Sequence, residues 1–466
     1  MGWICKYKRN FLLTRHFKWG MLEIIVTVEF IVLYVSRRHV IIRYHNLFLK
    51  GDGYDQKGKL SMAKIKEIRC IRTRVNGTWV IVKITTDQPG LYGIGSASDH
   101  YHAQTVVTAV EECIAPRLIG REVGHIEDIW QSTLTSGYWR NGAISNTALG
   151  GIDMALWDIK GKEAGMPVYQ LLGGPCRSAV PCYAHAGGGD FVELEDDIRR
   201  YMEEGYSVIR CQLGGYGGGG FIDADKAGQP KNPWSNAPAF DDEAYIESIP
   251  KMFEYLRSKL GFGPKLTHDV HEHLRPQCAV TLSKLLEPYR LFFLEDVLSP
   301  EQIDWFRLIR QQCTTPQAMG ELFINPHEWI PLITERLIDF VRVRVSKGGG
   351  ITPCRKIATL CEWFGVNTAW QEGGDNDPVN QVAATHLDLA SWSFGIQEEN
   401  HFSQEELDIF PGHAILEGGY LYANDQPGLG IDIDEAKAAQ ILDAEQARRP
   451  NYAAEDRKAD GSVVRP

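Results

Sequence analysis

None of the ten cysteines stands in a C-x-x-C pair; they are scattered from Cys5 to Cys361, which leaves no zinc knuckle and no disulfide framework. A reducing cytoplasm suits such usage. Basic charge is short as well: 49 Lys and Arg against 60 Asp and Glu give a formal net charge of -11, whereas a sequence-independent nucleic-acid binder needs a basic footprint. Long apolar runs are missing too. The most apolar stretch, Met21 to Val35, is broken by Glu23 and Glu29 and is shorter than the roughly 20 residues of a spanning helix. No small-residue cleavage site follows it, so it does not read as a signal peptide. A Gly-Lys-Ser/Thr triplet is also absent, which removes the Walker loop.

What remains is a chain of 466 residues, 44% hydrophobic and 23% charged, the balance of a folded soluble protein with two or three structural units. Eleven basic but only four acidic residues fall within 1–61, so the rest of the chain is more acidic than the whole. We expect residues 1–61 to be an extension outside the fold, with the working protein beginning near Met62.

From Lys64 the pattern becomes regular. Lys64–Arg74 and Trp79–Thr86 alternate apolar and polar side chains, and Leu91–Gly95 follows a Gln88-Pro89-Gly90 turn, which predicts an antiparallel meander. Helical spacing follows over Gln104–Ile114 and Asn146–Ala164. Beyond Val180, strand patterns at Val180–Ala184, Val208–Leu213, Lys265–Val270, Leu291–Val297, Gln317–Glu321, Phe340–Val345 and Val366–Trp370 alternate with amphipathic stretches. That rhythm suits a parallel β/α barrel. The interval Gly214–Pro238, rich in Gly, Pro and Asn, is long enough for a functional loop. Its Gly215–Gly220 run formally matches G-x-G-x-x-G, but no helix pattern opens after it, so it does not read as a nucleotide site.

Three acids close consecutive strand patterns: Asp269 in Thr-His-Asp-Val-His, Glu295 in Phe-Phe-Leu-Glu-Asp and Glu321 in Met-Gly-Glu-Leu. Their spacing of 26 residues is one β/α repeat, so in a barrel they should emerge from adjacent strands and converge on one point at its C-terminal face. Three close carboxylates repel unless a hard cation neutralises them, and an all-oxygen set favours Mg²⁺. On a strand, His271 would share the face of Asp269 and reach the same substrate.

Met154-Ala155-Leu156-Trp157-Asp158-Ile159-Lys160, Tyr169-Gln170-Leu171-Leu172-Gly173-Gly174, Asp269-Val270-His271, Phe394-Gly395-Ile396-Gln397-Glu398 and Pro427-Gly428-Leu429-Gly430 occur in that order. With them, from about Lys64 onward, the chain resembles the enolase superfamily. Within its mandelate racemase/muconate lactonizing enzyme-like group, the resemblance is to the mannonate dehydratase branch, also called the D-galactonate dehydratase family. This implies an α/β protein: an α+β capping domain at 62–178, a modified TIM barrel, (β/α)7β, at 179–400, and a C-terminal segment, 401–466, packing back toward the capping domain. It further implies a cytoplasmic, homo-oligomeric hydro-lyase that dehydrates an acid sugar. In such enzymes Mg²⁺ stabilises the enediolate formed when a base takes the proton α to the carboxylate, and the β-hydroxyl then leaves with help from an acid.

Carried onto this chain, the resemblance makes Asp269, Glu295 and Glu321 the metal ligands and His271 a proton-transfer group. On the opposite side it places a base, Tyr216, assisted by Arg210, although the loop between those two is shorter than in the family. His100, His185, Arg342, Gln371, Asp375 and Glu398 would hold substrate. Gln371 stands where mannonate dehydratases carry a His, and glutamine cannot transfer a proton near neutral pH. The tail to Pro466 also lacks the Trp that the family brings to its pocket. Little or no D-mannonate dehydration is therefore expected. Two other functions stay open: a divergent member that binds Mg²⁺ and acid sugars without turnover, and a non-catalytic starvation-sensing regulator.

Overall fold

Trp79–Thr86 is buried at six of its eight positions because it is the middle strand of a three-stranded antiparallel sheet, flanked by Ile65–Thr73 and Tyr92–Ser96 and covered on both faces. The helix Ala143–Ala164 covers one face. Gly93 and Gly95 admit it so closely that a Cβ on Gly95 would lie 2.1 Å from the carbonyl oxygen of Gly151. The C-terminal segment covers the other face, where Glu435 pairs with Arg69 (2.6 Å) and Lys83 (2.8 Å) and Thr73 donates to the carbonyl of Ala438. Gly165 ends the long helix in the left-handed conformation, φ 65°. The helix predicted over Gln104–Ile114 runs as Ala103–Thr108 and then as a π-helical turn, Ala109–Ile114. Pro116 lies just beyond and has no N–H for the preceding turn, which widens.

The computed structural model describes residues 63–222, 238–449 and 456–464 in full. Of the separate unit Met1–Ala63 it describes only the backbone of three antiparallel strands, Leu13–Trp19, Leu22–Ser36 and His39–Lys50. The reading of 1–61 as an extension thus falls outside the described residues. So do residues 223–237 of the glycine-rich interval, whose two ends meet as a short antiparallel pair, Phe221–Ile222 with Ala239–Phe240. Among the described residues no helix is long and apolar enough to cross a membrane.

Eight parallel strands close the barrel: Val180–Gly188, Val208–Leu213, Lys265–Asp269, Leu294–Glu295, Gln317–Met319, Phe340–Val341, Asn367–Thr368 and Gln397–Glu398. The eighth pairs with the first (Glu398 opposite Tyr183), and Thr368 bridges to Phe394 on the other side. Several strands are shorter than their sequence patterns because tilted barrel strands pair over only a few residues. Ladder bonds nevertheless continue past the fourth strand, from Phe292 N–H to Leu266 O and from Asp296 N–H to Ala318 O. Tyr183, Val208, Phe293, Ala318, Phe340, Ala369 and Ile396 fill the interior, so the barrel is a packed floor rather than a pore. The helix Pro378–Ala390 between the last two strands is capped by Asp377, whose carboxylate accepts from the N–H groups of Val379 and Asn380.

Candidate active site

Asp269 and Glu295 are the last residues of the third and fourth strands, directly opposite each other in the ladder, and both are fully buried. Two guanidinium groups stand among them. Arg210 Nη1 lies 3.1 Å from Asp269, 3.3 Å from Glu295 and 3.4 Å from Glu398. Arg342, completely buried, reaches Glu295 (2.6 Å), Asp296 (3.3 Å) and Glu398 (3.0 Å) and donates to Tyr183 Oη at 2.6 Å. His185 lies between Arg210 (3.1 Å from Nδ1) and Glu398 (3.0 Å from Nε2). Burial would raise the Glu398 carboxyl, yet Arg342 and His185 hold it well below the usual range. Asp269 goes the other way, raised by burial and then by the charge of Glu295.

The third expected ligand sits differently. Glu321 lies two residues past its strand, beyond Gly320 at φ 137°, and its carboxylate faces His271 Nε2 at 3.3 Å. Ligand atoms of Asp269, Glu295 and Asp296 lie within 4.8 Å of one another, and so do those of Asp269, His271 and Glu321. Asp269 is common to both groups; the three expected carboxylates do not form one compact group, because Arg342 Nη2 stands 2.6 Å from Glu295 and 3.8 Å from Glu321.

His271 does not share a strand face with Asp269. The strand ends at Asp269, and His271 and Glu272 turn left-handed, φ 53° and 57°, with the His271 N–H donating to Asp269 Oδ1 at 2.8 Å. The turn brings the imidazole to the site by another route. Burial opposes its charge, but the facing Glu321 carboxylate outweighs this and the His271 pKa is pushed up to about 10. Tyr216 was expected across the pocket; its ring instead stacks on His271, with centroids 4.1 Å apart. Its hydroxyl accepts from Arg210 Nη2 at 3.2 Å, and burial pushes its pKa up to about 12 against the pull of Arg210. Only five residues separate Arg210 from Tyr216, so the short glycine turn folds the phenol back over the strand ends.

Farther out, Gln371 and Asp375 are held by Arg344, a residue that the sequence patterns did not single out. The capping loop Ser96–His102 comes down beside them. Ser96 (2.5 Å) and Ser98 donate to Asp377, and Asp99 pairs with Lys347. His100 and Tyr101 contact each other edge to face, and burial and then the nearby Asp375 charge raise the Tyr101 hydroxyl.

Two family models match the chain: the mandelate racemase/muconate lactonizing enzyme N-terminal domain over residues 65–173 and the enolase C-terminal domain-like region over 193–437. A D-galactonate dehydratase family member of Paenibacillus sp. strain JDR-2 is 63% identical over 407 residues, 87% of this chain and 100% of the relative. The chain belongs to the D-galactonate dehydratase family of the enolase superfamily. Another member of that family, from Salmonella enteritidis PT4, is 53% identical over 82% of this chain and 94% of its own. A crystal structure of an enolase from Pantoea ananatis with bound D-gluconate and Mg superposes with a TM-score of 0.81 at 48% identity, covering 87% of this chain and 100% of that one.

The donor set of this dehydratase-family site fits a hard divalent cation. Asp269, Glu295, Asp296, Glu321, Glu398 and Glu272, all but Glu321 fully buried, crowd around Arg210, Arg342, His185 and His271, so the carboxylates outnumber the cations. Neither carboxylate oxygen of buried Glu272 finds a hydrogen-bond partner among the described residues. Buried carboxylates in such excess call for metal charge. Asp296, Glu272 and Arg344 were not anticipated. The Arg342-Val343-Arg344 alternation, which turns both guanidinium groups the same way, was the signal for the last of these.

Proposed function

We propose that the protein is a Mg²⁺-dependent, aldonate dehydratase-like hydro-lyase that removes the proton α to the carboxylate of an acid sugar, with little or no action on D-mannonate. The observation that carries this is that Asp269, at the C-terminal mouth of the barrel, belongs to two close groups, one with Glu295 and Asp296 and one with His271 and Glu321. The family membership and the D-gluconate and Mg bound by the Pantoea ananatis enolase support it. Asp269, Glu295 and Glu321 would hold the metal, which when bound neutralises charge developing on the substrate carboxylate. His271 moves a proton at Nε2. Tyr216 serves at its hydroxyl, where the Arg210 charge 3.2 Å away offsets part of the burial that disfavours the phenolate a base requires. Arg342 keeps Glu295 and Glu398 in place, while His185, Glu398, Gln371, Asp375 and His100 face the sugar. The capping loop, fastened through Asp99 and Lys347, keeps water out.

The same proposal takes 1–61 as an extension, 62–178 as the capping domain, 179–400 as the barrel and 401–466 as the segment returning toward the cap, in a cytoplasmic homo-oligomer. Incubating the protein started at Met62 with Mg²⁺ and a panel of aldonic and uronic acids should yield a 2-keto-3-deoxy acid from at least one of them, and Glu295→Gln should abolish it. Silence across the panel despite tight Mg²⁺-dependent binding would overturn turnover and favour the second reading, a member that binds without reacting. Gln371, which cannot carry a proton, is the residue that speaks for it.

A further inference from the structure

Alternation past the sixth strand turns Arg342 and Arg344 to the same inner face, yet they are used differently. Arg342 is spent on the buried carboxylates. Arg344 spans Gln371 and Asp375: Nε donates to Gln371 Oε1 at 2.6 Å, and the two terminal nitrogens take both Asp375 oxygens at 2.7 and 2.6 Å. A guanidinium has only donors, so the Gln371 amide must turn its oxygen toward it. The amide nitrogen then lies against Gly373, where a Cβ would come within 2.4 Å of Nε2. The side chain is held one way round, with its donor end away from Arg344. Beside this fork, Lys347 is already matched by Asp99. Arg344 and Lys347 thus each have their own carboxylate.

We infer that Arg344 is the positioning residue of the distal pocket, and that its closed fork with Asp375, with Gln371 locked as a donor, admits the uncharged polyol tail of a monoacid and rejects a second carboxylate there. This rests on the acid-sugar proposal above. A second carboxylate would meet the like charge of Asp375 and could reach Arg344 only by breaking the fork, which is selection by repulsion as much as by attraction. A hydroxyl oxygen needs only the Gln371 donor.

The test is calorimetric titration of the Mg²⁺-loaded protein with D-gluconate and with D-glucarate, which differ in the oxidation of the distal carbon. D-Gluconate should bind at least about tenfold more tightly. Asp375→Asn, which removes the repelling charge and opens the fork, should bring the two acids within roughly threefold of each other or reverse their order. Arg344→Gln should weaken D-gluconate by about tenfold or more with Mg²⁺ affinity unchanged, and Arg344→Lys, a cation without the fork, should not restore it. Equal affinity of the unaltered protein for the two acids, or an unchanged ratio in Asp375→Asn, overturns this inference alone. If neither acid binds the unaltered protein, the acid-sugar proposal falls and this inference with it. Should Arg344→Gln fail to fold, Asp375→Asn, at a partly exposed side chain, decides the matter.

Discussion

The ring of Tyr216 lies on the ring of His271, their planes inclined by 25°. Two groups with proton-transfer chemistry are therefore in direct contact on one flank, and their contributions separate by substitution. Tyr216→Phe keeps the stacked ring and loses only the hydroxyl; if that hydroxyl is the base, turnover should fall about 10²-fold or more with His271 undisturbed. Tyr216→Ala should then cost more, because it also frees the imidazole. His271→Asn should abolish product while Mg²⁺ still binds. Product formation and a metal titration on the same samples check all three, and full activity in His271→Asn would refute its role.

Metal should act on the fold as well as on the chemistry. With buried carboxylates exceeding cations around Asp269, Mg²⁺ at 100 times its dissociation constant is expected to add about 2.7 kcal/mol of stability. Thermal melts with Mg²⁺ and with a chelator should differ by several degrees. In Glu295→Gln that difference should shrink, and an equal response would exclude Glu295 from the metal site.

His386 offers a pH test away from the active site. The N–H of Tyr169 donates to its Nδ1 at 3.0 Å, so the proton resides on Nε2, which faces the Leu429 carbonyl at 3.0 Å. Burial lowers its pKa to about 4. Below about pH 6.5 the unfolded imidazole takes a proton that the folded one refuses until about pH 4. The unfolded state therefore binds more protons across that window, and stability is lost as the pH falls through it, by about 3 kcal/mol at its lower end. Denaturant melts of His386→Gln between those pH values should show a shallower loss than the unaltered protein; parallel curves would refute the assignment.

The contact between the capping sheet and its long helix should tolerate no added atom. Gly95→Ala would set a methyl 2.1 Å from the Gly151 carbonyl oxygen and 2.7 Å from the Ala155 nitrogen, both backbone atoms that cannot rotate away. A loss of about 3 kcal/mol or more is expected. Gly90→Ala, with open space around it but φ 81°, should cost less, about 1 kcal/mol of backbone strain. Chemical denaturation of the pair measures the contrast.

Asp269 and Glu295 were legible because each ends a strand pattern and the repeat length puts them side by side. His271 was legible as a neighbour but not in its route: strand alternation cannot foresee a chain that stops pairing at Asp269 and turns left-handed for two residues. Glu321 escaped the same way, carried past its strand by Gly320. The helix Pro378–Ala390 lacked the usual periodic signal because Asn380, Gln381, Thr385, His386 and Asp388 are buried along with its apolar residues, leaving no polar face. Only its start, Asp377 followed by Pro378, was written in the usual way.

Asp377 serves two masters: one oxygen caps that helix, and the other receives the hydroxyls of Ser96 and Ser98 from the capping loop. The root of the loop is thereby made part of the barrel wall. The tip beyond it, 99–102, is tied down separately, by the ion pair of Asp99 with Lys347 and by the Asp99 N–H bond to the Thr78 carbonyl at 3.2 Å, so a change at Lys347 would reach the tip and leave the root fastened.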